Sequence, residues 1–184
     1  MRFKKLFEYS WVWPYIGGVV AIIAVITPAT AQSEPDVFID SHTYWLWGLV
    51  AITDWTWGMT GWAWENTYQF TTNPLVLSID IVLTLMVIIV SIKLLFKTRS
   101  YVLEKKNLDK SYLLYSAGYF GIITAWLTIN ELIYSITGFL GQSPYFSFIG
   151  YFGMEFGVYG LYLGGAVTAL GYILTMIGRH SFYY

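Results

Sequence analysis

The chain contains no cysteine. Disulfides, thiolate metal centres and cysteine nucleophiles are thereby excluded, and any part outside a membrane must hold by packing and hydrogen bonds alone. There are two histidines, His42 and His180, far apart in sequence, a poor basis for a haem held between two histidines on membrane helices. Charge is scarce: 11% of residues are Asp, Glu, Lys or Arg, about half the fraction usual in a soluble domain. The net charge of −1 provides no basic field for nucleic acid. No Gly-rich phosphate loop, Gly-x-Ser-x-Gly or His-Glu-x-x-His occurs, so the common nucleotide, hydrolase and zinc-protease signatures are missing. No cofactor is expected.

What is present is apolar. Of 184 residues 57% are hydrophobic, and mean hydropathy is +0.56. This is the composition of a membrane protein with room for one compact bundle. Four segments, roughly Trp11–Ala31, Pro74–Phe96, Tyr112–Leu140 and Phe146–Gly178, reach the ~20 residues a spanning helix needs. The last two exceed it, and would tilt or project beyond the bilayer. Four spans place all ten basic residues on one side: Arg2, Lys4 and Lys5; Lys93, Lys97, Arg99, Lys105, Lys106 and Lys110; and Arg179. The positive-inside rule makes that side cytoplasmic. Both termini and the loop 97–111 are then inside a cell membrane. The loop from Gln32 to Asn73, which has no Lys or Arg, is outside. The first segment also resembles a signal peptide, with Ala29-Thr30-Ala31 as a small-residue cleavage site; cleavage would leave three helices. An uncleaved first helix is expected.

The outer loop is dense in tryptophan. "YWLWGLVAITDWTWGMTGWAW", Tyr44 to Trp64, holds six of the nine tryptophans as three Trp-x-Trp pairs: Trp45 and Trp47, Trp55 and Trp57, Trp62 and Trp64. A fifth span there would break the charge pattern, so the segment belongs outside, with a re-entrant dip as the competing arrangement. Residues two apart share a face on a strand but lie about 200° apart on a helix. The spacing predicts a small antiparallel sheet running to about Phe70, with a turn at Gly58, Thr60 and Gly61 and another at Asp54. The tryptophans would pack on helix ends or headgroups, or form an interaction surface. Trp11 and Trp13 fit an aromatic belt.

Small residues form stripes at intervals of three and four. The fourth segment carries Gly153, Gly157, Gly160, Gly164, Thr168, Gly171 and Thr175, the first Gly17, Ala21 and Ala24, and the third Ala117, Gly121, Thr124, Thr128, Glu131 and Ser135. Such stripes let helix backbones approach closely in lipid, within one chain or between copies. Three acids, Asp80, Glu131 and Glu155, fall inside the expected spans, roughly 10–13 Å from their outer ends at 1.5 Å per residue. Asp80 shares its face with Thr84 and Ser91, and Glu131 lies beside Asn130. Intramembrane acids are candidates for a cation or proton site; hydrogen-bonded acids that fix helix register are the simpler alternative. Asp40 and His42, with Glu34, Asp36, Asp54 or Glu65, are a weak metal-ligand set.

The layout of four helices with a long β-rich first outer loop resembles the claudin and peripheral-myelin-protein superfamily. "YWLWGLV" resembles its Gly-Leu-Trp region, and "YFGMEFGVYGLYLGGAVTALG" resembles its Gly-rich last helix. The opening "WPYIGG…ITPA" and "WLWGL" also resemble four-helix membrane proteins of archaea. The paired loop cysteines of claudins are absent. The resemblance implies lateral assembly and contact through an outer sheet.

The expected fold is an all-α transmembrane four-helix bundle with a small extracytoplasmic antiparallel sheet. The expected function is non-enzymatic: assembly, adhesion or scaffolding, as a homo-oligomer or a small subunit among other membrane proteins. The alternative is a cation or proton channel or transport component using Asp80, Glu131 and Glu155. A membrane enzyme using the loop acids and His42 ranks third.

Overall fold

A computed structural model of the chain describes residues 9–32, 41–58, 61–104, 109–137 and 148–180. In order these form α1 (Val12–Ile26), β1 (Pro28–Ala31), β2 (Ser41–Trp45), β3 (Leu49–Gly58), β4 (Gly61–Phe70), α2 (Pro74–Glu104), α3 (Ser111–Thr137), α4 (Phe148–Tyr151), β5 (Gly153–Met154) and α5 (Phe156–His180). Three helices, over Pro74–Ser100, Ser111–Thr137 and Phe156–Ile177, are long and apolar enough to cross a membrane. The protein is a mostly helical membrane protein with a small antiparallel sheet.

The faces of α2 agree with a lipid setting. Val76, Asp80, Thr84, Val87, Ser91, Leu94 and Thr98, three or four apart, are buried, whereas Ile81, Val82, Leu85, Met86, Ile89, Ile92 and Phe96 are exposed. In water this amphipathicity would be inverted. In lipid the apolar face has no reason to hide, and the polar groups need the interior.

Two expected spans end early. α1 has 15 residues, because Pro28 lacks an N–H and disfavours helical backbone at Thr27. Residues 28–31 become β1 instead. The segment expected as one helix from Phe146 is interrupted: α4 is one turn, and Gly153–Met154 pairs with β1 through Thr30↔Met154 and Ala31↔Gly153. Gly153 therefore lies on a strand and not on the glycine stripe. Glu155 precedes α5, and its carbonyl accepts the Val158 and Tyr159 N–H groups at 3.0 and 3.1 Å; it caps the helix rather than sitting inside it. α2 runs to Glu104, beyond the expected Phe96, since Lys and Arg are good helix formers that carry the helix on into water. Residues 138–147 lie outside the described residues.

The sheet has the order β4-β3-β2-β1-β5, antiparallel throughout. β2 and β3 are joined by three residues, Leu46–Gly48. The Gly48 N–H donates to the Trp45 carbonyl at 3.0 Å, and Gly48 has φ +83. This matches a three-residue hairpin loop whose last residue must enter the left-handed region, which glycine does without steric cost. β3 and β4 are ten residues each, pairing Leu49↔Phe70 through Trp55↔Trp64 and Trp57↔Trp62 to Gly58↔Gly61. Residues 59 and 60, in the expected turn, lie outside the described residues. Asp54 is mid-strand opposite Glu65 and not in a turn, because β3 runs unbroken from Leu49 to Gly58 with a β4 partner at every residue. The tryptophan segment is thus strand and not a fifth spanning helix.

The chain divides into two compact units. The first comprises Met1–Ile23, Leu85–Ile123 and Gly160–Tyr184, the second Ala24–Thr84 and Thr124–Tyr159. Their charges differ sharply. The first holds all ten basic residues and three acids, a net +7; the second holds eight acids and no lysine or arginine, a net −8.

The first unit is built on close helix approach. A Cβ on Gly164 would lie 2.8 Å from the Gly17 carbonyl oxygen, and one on Gly17 would collide with Thr168 and the Gly164 carbonyl. α1 and α5 meet backbone to backbone there. Ser116 donates to the Gly165 carbonyl at 2.8 Å, Thr175 to Ser10 at 3.0 Å, and Ser91 pairs with the Tyr119 hydroxyl at 2.9 Å. An apolar groove of about 400 Å³ is lined by Trp11, Tyr15, Leu95, Phe96 and Arg99 among others.

Candidate functional site

Among the described residues the second unit encloses one fully buried carboxyl group. Asp80 is fully buried on α2. Its Oδ2 accepts the Tyr44 hydroxyl at 2.6 Å, and its Oδ1 accepts Asn130 Nδ2 at 3.1 Å. The Tyr44 hydroxyl lies 3.3 Å from that of Tyr134, which lies 2.6 Å from Thr71 Oγ1. Carboxylate, two phenols and a threonine form one continuous hydrogen-bonded chain. Burial first, and the negative charge of Asp80 next, push the Tyr44 phenol well above its ordinary range, so Tyr44 remains a proton donor to the carboxylate.

Aromatic packing fixes this chain in place. Tyr44 is fully buried against Trp126, Phe148 and Phe152, with ring centroids 5.9, 5.5 and 6.3 Å away. Phe148 stacks on Tyr134 at 5.4 Å. Such contacts hold the rings in single rotamers and so aim the hydroxyls. The β2–β3 turn closes over the carboxylate. Trp126 Nε1 donates to the Leu46 carbonyl at 3.1 Å, and the Thr71 N–H donates to the Gly48 carbonyl at 2.9 Å. A Cβ built on Gly48 would stand 3.4 Å from Asp80 Oδ2, which measures how near the turn backbone comes.

Two oxygens beside Asp80 have no hydrogen-bond partner among the described residues: Asn130 Oδ1 and Thr84 Oγ1. The Asn130 amide orientation follows from its other contacts. Its Nδ2 donates both to Asp80 and to the Trp126 carbonyl at 3.0 Å; turning the amide over would set an oxygen against two acceptors. Thr84 is one turn from Asp80 on the same buried face. Ser78, Ser91 and Thr98 of the same helix each donate to the carbonyl four residues back, at 2.8 Å, whereas Thr84 does not.

The other expected site residues have separate surroundings. Half-buried Glu131 accepts the Ile149 N–H of α4 at 2.7 Å, and Glu155 is exposed at the start of α5. On α3 it is Asn130, not Glu131, that faces Asp80; the two differ by 100° around the helix. His42 Nδ1 lies 3.2 Å from Gln32 Oε1. Glu34, Asp36 and Asp40 fall outside the described residues, and among the described residues no three His, Asp or Glu side chains could hold a metal together. The glycine stripe of α5 is used within the chain: Gly164 meets α1, and Gly157 meets Ala29 and the Pro28 carbonyl. The stripe expected to pack on α3 faces outward instead. Ala117, Gly121, Thr124 and Thr128 are exposed, because the aromatic residues Tyr112, Tyr119, Trp126 and Tyr134 take the inner face.

Tyr44, Thr71 and Tyr134 were not singled out by sequence reasoning. Tyr134 follows Asn130 by four residues and Thr71 precedes α2, so one face of each helix carries the signal, but only pairing across the sheet brings Tyr44 to them. Compared with known families, the chain matches no family model, and compared with curated proteins it matches none.

Proposed function

We propose that this is a non-enzymatic, four-span membrane protein of assembly or adhesion, with both termini cytoplasmic and the tryptophan hairpin outside. The observation that carries this reading is the reach of the β3–β4 hairpin. Among the described residues, β2 accompanies β3 only as far as Ser41↔Thr53, while Asp54–Gly58 pair with β4 alone. A two-stranded ribbon is marginally stable by itself, and this one places Trp55 opposite Trp64 and Trp57 opposite Trp62. A ribbon of that composition gains stability by docking on a partner, and β4, an edge strand among the described residues, offers a place where a second strand can add. Placing all ten lysines and arginines on the cytoplasmic side follows the positive-inside rule.

Within the membrane, the outward stripe of α3 suits a neighbouring helix better than the stripe of α5, which the chain already occupies. Gly121 has nothing within 4 Å of the place a Cβ would take. The partner is a second copy or another membrane protein, and native mass measurement in mild detergent with crosslinking in native membranes tests this. A defined oligomer or one recurrent crosslinked neighbour is expected, lost in a Trp57→Ser, Trp62→Ser double variant. A strict monomer without neighbours overturns the reading.

A further inference from the structure

We propose that the buried polar cluster around Asp80 is a binding site for a single monovalent cation, sodium in the first instance. The second unit contains no lysine or arginine, and the groups that hydrogen-bond to Asp80 through Tyr44 and Asn130 are neutral. A fully buried carboxylate without a cation is costly. Hydrogen bonds from Tyr44, Asn130 and Trp126 still leave part of its acceptor capacity unused, since two carboxylate oxygens offer about four lone-pair sites.

The neighbouring atoms are of the right kind. Asn130 Oδ1 and Thr84 Oγ1 are oxygens without a partner among the described residues, on side chains at 0% and 7% exposure. Asn130 is anchored to the carboxylate by its own amide nitrogen, so its oxygen is held beside the carboxylate rather than in solvent. Thr84 has given up the backbone bond that its counterparts on the same helix make. A carboxylate, an amide oxygen and a hydroxyl are hard oxygen donors, the ligand class that takes alkali and alkaline-earth cations. Charge selects between those two groups. One carboxylate balances one positive charge. Calcium takes six to eight oxygens and usually several carboxylates, and among the described residues no group of three acids or histidines gathers. The site is also built to retain its shape, because Tyr44, the Gly48 turn and Trp126 close around the carboxylate with hydrogen bonds of their own.

The test is equilibrium binding of ²²Na⁺ to the purified full-length protein in detergent, with choline chloride holding ionic strength constant. A parallel thermal-unfolding series compares sodium with choline. Wild type is expected to bind about one sodium per chain saturably, and to gain on the order of 5 °C in Tm once sodium exceeds Kd about a hundredfold. Asp80→Asn should lose at least tenfold in affinity and the sodium-dependent Tm gain, while melting in choline no lower than wild type. Thr84→Val, nearly isosteric and retaining Asp80, should weaken sodium severalfold, and it decides the matter should Asp80→Asn fail to fold. No saturable sodium binding by folded wild type, or affinity unchanged in Thr84→Val, overturns the proposal.

Discussion

The two units of this chain bury polar groups in opposite ways. In the first, Ser91, Thr98, Ser116, Thr168 and Thr175 each hydrogen-bond to a backbone carbonyl or a neighbouring hydroxyl, and the helices meet through glycine. Among the described residues its ion pair lies at the surface, half-buried Lys97 against exposed Asp109. In the second, a carboxylate is buried among aromatic rings, its hydrogen bonds come from side chains distant in sequence, and two adjacent oxygens have no partner among the described residues. The first arrangement is locally complete and serves packing. The second needs residues from β2, α2 and α3 to come together and leaves chemistry available. The difference locates stability chiefly in one unit and specificity in the other.

Breaking the close approach should have the largest effect. Gly164→Leu sets a side chain against the Gly17 backbone, which has no rotamer by which to yield. A loss of about 3 kcal/mol or more is expected, read as a large fall in the detergent-unfolding midpoint or as absence of folded protein. Gly164→Leu behaving like wild type would mean that α1 and α5 are not held at that distance. Next comes Tyr44→Phe, which keeps the ring packing and removes one donor from a buried carboxylate. It should cost about 1–3 kcal/mol. Tyr134→Phe, one step further along the chain of hydroxyls, should cost less; the reverse order would move the centre of the cluster from Asp80 toward Thr71.

What was legible in the sequence, in both units, was local periodicity. Helix positions followed from apolar length, and strand character from the two-residue tryptophan rhythm, because both are local periodicities. The glycine stripe of the last helix also stood out, since close approach demands small residues whatever the partner. What failed were the places where pairing overrides composition. Ala29 to Ala31 is apolar enough for helix but is taken by β2 and β5, and the small-residue stripe of α3 lost the inner face to larger rings. Asp80 was visible as an anomaly. Its partner Tyr44 was not, because 36 residues and a hairpin separate them.

That α3 stripe provides a way to sharpen the comparison, since its residues are exposed rather than buried. Gly121→Leu has open space for its side chain and should leave the unfolding midpoint within about 0.5 kcal/mol of wild type. If the stripe is a lateral contact, self-association measured by energy transfer in liposomes should weaken about tenfold, equivalent to ~1.4 kcal/mol. Unchanged association would confine assembly to the hairpin. Set beside Gly164→Leu, the variant separates a glycine needed inside the chain from one needed between chains.

The smallest effect belongs to the ion pair of the first unit. Asp109 accepts the Ser111 N–H at 3.0 Å at the start of α3 and lies 2.9 Å from Lys97 Nζ. Shallow burial works against its ionised form, but hydrogen bonds from Ser111 and Lys97 and the lysine charge outweigh it, holding the carboxyl below its ordinary range. A carboxyl with a lowered folded pKa adds stability above its unfolded value and loses it as pH falls through the folded one. With Asp109 61% exposed, solvent screening limits the pair to a few tenths of a kcal/mol. Asp109→Asn keeps an N-capping oxygen and removes only the charge. Its deficit against wild type should be measurable at pH 7 and low salt, and should vanish once the pH has fallen through the lowered folded pKa, where wild-type Asp109 is protonated too. A deficit that persists in acid would assign the role of Asp109 to capping geometry, the same local completeness that the buried hydroxyls of its unit display.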